Sequence, residues 1–163
     1  MKKLYTALLA SALALSVSNV FAHEHGAEDK IKAAMQSDVR SDAEKERDRN
    51  RRPVQTLAFF GLQDDMKVVE LLSGGGWYTK LLVPTLAENG EYYAAIGTGR
   101  VKERLADLPG FDKMNIVAEN ARLWREEGSR FYSMELGSLG VTDADMVLTF
   151  RNYHNFGDQG RAA

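Results

Sequence analysis

Met66-Lys67-Val68-Val69-Glu70-Leu71-Leu72-Ser73-Gly74-Gly75-Gly76-Trp77 is the stretch on which the fold of this chain turns. Met66 to Leu72 is apolar apart from Lys67 and Glu70, the pattern of a strand buried on both faces of a parallel sheet. A glycine cluster follows. A helical stretch comes next, Trp77 to Ala87, with Leu81, Leu82 and Leu86 on one side and Pro84 placed to kink or shorten it. Strand, glycine turn and helix in that order make a ligand cradle. Glycine lets the backbone turn sharply and lets a ligand approach with no Cβ in the way. The helix that follows directs free N–H groups at a negative group. A glycine turn that holds nothing is the plain alternative.

Downstream, Asn89-Gly90 is a turn, Glu91 to Ile96 a second strand and Gly97-Thr98-Gly99 its end. A short helix is expected over Val101 to Leu108. Met114 to Val117 reads as a strand or as part of a helix. Met114, Val117, Ala121 and Trp124 recur at helical spacing before Gly128, which favours a helix over Asp112 to Glu127. The third strand is then Arg130 to Glu135, and the fourth Asp145 to Phe150, with Arg151-Asn152-Tyr153-His154-Asn155 leaving its C-terminal end. Strands alternating with helices predict an α/β fold with a doubly wound, mainly parallel sheet.

Upstream, N-terminal helices are expected. Ser41 and Glu44 form a capping box, and Pro53 opens a helix with Val54, Leu57, Ala58 and Phe60 on its apolar face. The run from Asp42 to Arg52 mixes signs, places Asp48 and Arg52 for an i,i+4 pair, and reads as a solvated helix face. Residues 23–40 read as a polar, mobile leader, with one short helical turn from Ile31 to Met35. Its His23-Glu24-His25 is taken as harmless, and no metal centre is expected. Residues 1–22 look like a secretory signal: Lys2 and Lys3, an apolar run from Leu4 to Val17, then Val20-Phe21-Ala22 with a cut after Ala22. The run is short of the ~20 residues that a membrane span needs. The chain has no cysteine, so no lipid anchor follows the cut, and disulfides, zinc thiolates and cysteine nucleophiles are excluded. A soluble periplasmic or secreted protein without a stable membrane anchor is expected. A net charge of −2 gives no nucleic-acid footprint.

The segment around Glu70 resembles the class I, Rossmann-like S-adenosylmethionine-dependent methyltransferases, which carry an acid, a hydrophobic residue and then three glycines at alternate positions. Gly74 and Gly76 match the second and third glycines; Leu72 stands at the first. The resemblance implies that Glu70 engages the amino group of the methionine portion and that Ser73, Gly74, Gly75 and Gly76 line the cofactor. The family's ribose-binding acid at the end of strand two is replaced by Ile96, with Thr98 as a hydroxyl substitute. Glu135 takes the place of the acid near the adenine. Asp145 to His154 looks like the strand-four segment that faces the transferred methyl, and its Asn-Tyr-His run is similar to an exported branch of predicted methyltransferases. Asn152, Tyr153 and His154 are therefore the candidate catalytic residues, with His154 as base or substrate contact. Arg151 suits an anionic substrate or a local acid. The resemblance covers about residues 40–163. The domain 41–163 carries about four of the seven strands such a fold has, so it reads as the N-terminal part of one. Strand four becomes an edge open to self-association. The methyl acceptor is unknown. The alternative is a degenerate Rossmann-like small-molecule-binding module without catalysis.

The competing dinucleotide reading fails on spacing. When Gly74 opens Gly-x-Gly-x-x-Gly, Thr79 occupies the last glycine position.

Overall fold

A computed structural model describes residues 26–129 and 132–152. Its centre is β1 (Lys67–Leu71), which pairs in parallel with β2 (Glu91–Ala95) on one edge and with β6 (Met146–Leu148) on the other. β3 (Met114–Val117) adds to the free edge of β2, again in parallel, giving the order β3-β2-β1-β6. β4 (Arg122–Trp124) and β5 (Ser133–Glu135) form a separate antiparallel pair. The helices are α1 (26–36), α2 (Asp42–Glu46), α3 (Asp48–Arg51), α4 (Pro53–Phe59), α5 (Thr79–Leu86) and α6 (Gly99–Leu105). The expected α/β architecture with a mainly parallel four-stranded sheet is therefore present.

Alternation along the strands sorts the core into two layers, because successive side chains point to opposite faces. Val68, Tyr92, Ala94 and Leu148 face a cluster built with Ile31, Leu57, Leu81, Leu82, Val101 and Leu105 from the helices. Val69 and Ala95 face the other way, against Ile96, with Met134, Leu139, Val141 and Ala144 packed over them. The helices described cover the first face. The second is covered by β5 and the stretch that leads from it to β6.

Several expectations are corrected. The helix expected over Asp112 to Glu127 is not formed: Met114–Val117 is β3, because the free edge of β2 offers a backbone hydrogen-bond partner that an isolated helix there lacks. Of the strand expected over Arg130 to Glu135, the described part forms β5, which pairs with β4 outside the main sheet. The stretch read as a mobile leader, 23–40, forms helix α1 over 26–36, with Ala27, Ile31 and Ala34 on one buried face. Asp48 does not pair with Arg52. It holds the fully buried side chain of Arg40, 2.5 and 2.9 Å away, and Arg40 also donates to the carbonyl of Met35 at 2.8 Å. The Ser41–Glu44 capping box and Pro53 at the start of α4 form as expected. The signal segment 1–22 and His23 to His25 lie outside the described residues.

Arg40 joins α1 to α3 through that one carboxylate. Asp48→Ala leaves a buried guanidinium without its counter-charge. It is expected to cost about 3 kcal/mol, read from urea unfolding as a lower midpoint at unchanged slope.

Candidate functional site

At the carboxyl end of β1 the chain turns through Leu72, whose φ of +55° is in the left-handed region. Gly74 (φ +60°) and Gly76 (φ +82°) continue the turn, and the Gly76 N–H closes it by donating to the Ser73 carbonyl at 3.0 Å. Gly76 has a second reason to be glycine. A Cβ there would sit 2.7 Å from Leu105 Cδ1 and 3.2 Å from Val101 Cγ2, so the loop seats directly on α6. At the carboxyl end of β6, the Thr149 hydroxyl donates to the Leu71 carbonyl at 3.3 Å, and the Asn152 amide donates to the Leu72 carbonyl at 3.4 Å. The two neighbouring strand ends are thereby tied together.

Between them opens a cavity of about 400 Å³. Leu72, Ser73, Gly74 and Gly75 form its floor, and Trp77, Tyr78 and Phe150 an aromatic wall. The Tyr78 and Phe150 rings stack with centroids 3.4 Å apart. The remaining lining is charged or polar: Glu70, Glu44, Asn152 and the arginines Arg47, Arg51, Arg104 and Arg151.

Glu70 is buried, and one carboxylate oxygen accepts from the Thr79 hydroxyl at 2.7 Å and from the Tyr92 hydroxyl at 2.5 Å. Burial pushes its carboxyl above the usual carboxylate range, against these two hydrogen bonds, which favour the charge. The Tyr92 phenol is pushed well up too, by burial and then by Glu70, so both groups keep their protons to higher pH than usual. Glu44 is the opposite case. Burial works against its charge, but Lys80 Nζ at 2.8 and 3.0 Å and the Ser41 cap outweigh burial and hold the carboxyl below its usual range. Ser73 Oγ is buried with no hydrogen-bond partner among the described residues. A buried polar atom in that condition costs free energy unless a ligand or water meets it.

The structure brings Glu70, Ser73, Gly74, Gly75 and Asn152 to one cavity; Gly76 does not line it and seats instead on Val101 and Leu105 of α6. Thr98 is buried at the start of α6 and does not line the cavity. Glu135 is exposed on β5, 3.4 Å from Arg122, and does not line it either. Tyr153 and His154 lie outside the described residues. Sequence reasoning missed Arg47, Arg51, Arg104, Trp77, Tyr78 and Phe150 as lining residues. Arg47 and Arg51 lay in the run taken for a solvated face. Their spacing of four residues was the available signal, since it puts both on one side of a helix. Comparison with protein-family models, with curated proteins and with solved structures finds no match for this chain.

The raised carboxyl of Glu70 fixes a sign. The folded chain keeps this proton above the ordinary value of 4.5, whereas the unfolded chain releases it there. The folded state thus binds more protons, and the Glu70 contribution to stability falls as pH rises from that value until the folded pKa is passed. Glu70→Gln keeps an acceptor for both hydroxyls without the charge. Its stability relative to the parent chain should rise as pH increases above the ordinary carboxyl value of 4.5, as measured by urea unfolding at each pH. Glu70→Ala strands the Thr79 and Tyr92 hydroxyls and should cost about 2 kcal/mol.

Proposed function

We propose that this chain is a class I, Rossmann-like domain that binds S-adenosylmethionine and transfers its methyl group to an acceptor. The observation that carries the reading is the position of the cavity. In the order β3-β2-β1-β6 the chain works outward from β1 in one direction and then returns to its other side, so the order reverses between β1 and β6. In open α/β sheets, ligands bind in the crevice at the carboxyl ends of the two strands that flank such a reversal, and that is where this cavity opens.

The residues fit the methionine end of the cofactor. The Ser73–Gly75 loop and the unpartnered Ser73 hydroxyl suit its carboxylate. Glu70 suits its ammonium group, whose charge would favour the ionised carboxyl that burial opposes. The bound cofactor supplies an electrophilic methyl group. The protein's part is placement, because methyl transfer requires the nucleophile in line with the methyl and the sulfur. Asn152 fixes the β6 end against the loop, and Trp77, Tyr78 and Phe150 wall off water on one side. Tyr153 and His154 follow directly on the chain and remain the candidates for substrate contact and base. Residues 1–22 support export to the periplasm or beyond as the setting of the reaction.

A second reading, a binding module without catalysis, is favoured by one observation. The position of the ribose-binding acid is Ile96, a buried apolar residue with φ +63°, and Thr98 is turned into the fold away from the cavity lining.

Titration calorimetry of the full chain with S-adenosylhomocysteine and S-adenosylmethionine tests the cofactor claim. Saturable heat is expected, with a loss of about tenfold in affinity, or about 1.4 kcal/mol, in Glu70→Gln. Absence of heat at millimolar ligand overturns the claim. Binding without transfer of a labelled methyl to any acceptor in a metabolite extract would favour the second reading.

A further inference from the structure

The sum of charge around the cavity is not what the cofactor alone calls for. Four arginines line it, from three separate parts of the chain: Arg47 and Arg51 at α2–α3, Arg104 on α6 and Arg151 beyond β6. Two acids line it as well, and both are already committed. Glu44 is bound by Lys80 and by its own helix cap. Glu70 is buried between two hydroxyls. The two acids that flank Arg47 are taken as well, Asp48 by Arg40 and Glu46 by Arg49. Among the described residues, none of the four arginines has a carboxylate within ion-pair distance.

All four arginines border one concavity; Arg51 is half-buried and the other three are exposed. Burial, and then the like charges of Arg47 and Arg151, push the Arg51 guanidinium below its usual value. Arg51 is held in place by the Trp77 ring, with its guanidinium carbon 4.4 Å from the ring centroid. Arg104 lies close over the glycine loop: its Nη1 is 3.1 Å from where a Gly75 Cβ would stand. Guanidinium forks gathered at one concavity are matched to the oxygens of a phosphate or a carboxylate. A solvated helix face would account for Arg47 alone, but not for cations from three segments around one concavity.

We propose that Arg47, Arg51, Arg104 and Arg151 form a binding site for a small molecule that carries a multiply charged oxyanion, of the phosphate or polycarboxylate type. The assignment of that molecule as the methyl acceptor rests on the methyltransferase reading; the anion site itself does not. A volume of about 400 Å³ suits a metabolite-sized ligand.

The test is calorimetry of the full chain with inorganic pyrophosphate, inorganic phosphate and tricarballylate, each at low and at high sodium chloride. S-adenosylhomocysteine is titrated in a separate experiment. At least one oxyanion should bind saturably at low salt and weaken at high salt, and the phosphate and tricarboxylate arms identify which chemistry is preferred. Arg104→Gln and Arg151→Gln, both at exposed positions, should each reduce affinity by about tenfold. Arg51→Gln, checked for folding by its thermal melt because Arg51 packs on Trp77, should do the same. Arg49→Gln, on α3 but outside the cavity lining, should leave it unchanged. No oxyanion binding, or binding that Arg104→Gln and Arg151→Gln leave intact, overturns the inference. Binding of S-adenosylhomocysteine without any oxyanion also overturns it and leaves the methyltransferase reading standing. Oxyanion binding without S-adenosylhomocysteine supports this site and counts against that reading.

Discussion

The Glu70 carboxylate fastens three elements at once. It stands near the end of the central strand β1, and one of its oxygens takes a hydroxyl from Thr79 at the start of α5 and another from Tyr92 on β2. Strand, helix and next strand of the first β-α-β unit therefore meet at a single buried atom. A buried polar group has to be paired or it opposes folding, so this cluster forms correctly or the unit is destabilised. The glycine loop spans the same interval, from the end of β1 to the start of α5. Its course is set by two constraints: the junction above, and the close seat of Gly76 on Val101 and Leu105 below. The cavity inherits its shape from that pair of fixed points.

How much of this was legible follows from how each segment gains its stability. β1, β2 and β6 are apolar runs buried in the sheet, and their sequences carry that burial directly. β3 does not. Four residues with helical-looking neighbours say little alone, and the deciding partner is the free edge of β2, 22 residues away in sequence (Tyr92 against Met114). α1 was missed for a different reason. Its buried face is two alanines and one isoleucine, Ala27, Ile31 and Ala34, too weak a hydrophobic pattern to stand out among polar residues. The glycine loop was found because backbone demands leave marks in sequence, and Asn152 because its Asn-Tyr-His run resembles a known family. The arginine side of the cavity was not, because a charge run on a short helix looks the same whether it faces water or a pocket. What distinguishes the two is where the acids go. That depends on Asp48 reaching Arg40 and on Glu44 reaching Lys80, contacts that span 8 and 36 residues.

The carboxyl end of the sheet carries an uncommon amount of left-handed backbone without glycine. Leu72, Ile96, Ala118 and Arg151 follow β1, β2, β3 and β6, and all have φ between +51° and +64°. Each such residue costs of order 1 kcal/mol or more, and strain of this kind persists only where the surroundings over-determine it. Here the four strained turns lie together at the sheet end where the cavity opens. The strain is part of what directs the four chain exits.

Leu72 shows what such a turn does beyond redirecting the chain. Its backbone forms part of the cavity floor and accepts the Asn152 amide, while its side chain packs into the layer on the far face of the sheet. There Leu72 and Leu123 close over Gly97 from two directions: a Cβ on that glycine would lie 3.2 Å from each. One residue thus belongs to both sides of the sheet: its carbonyl serves the cavity floor and its side chain serves the opposite layer. The β4–β5 pair makes no part of the cavity lining, yet Leu123 of β4 and Leu72 of the floor border the same glycine.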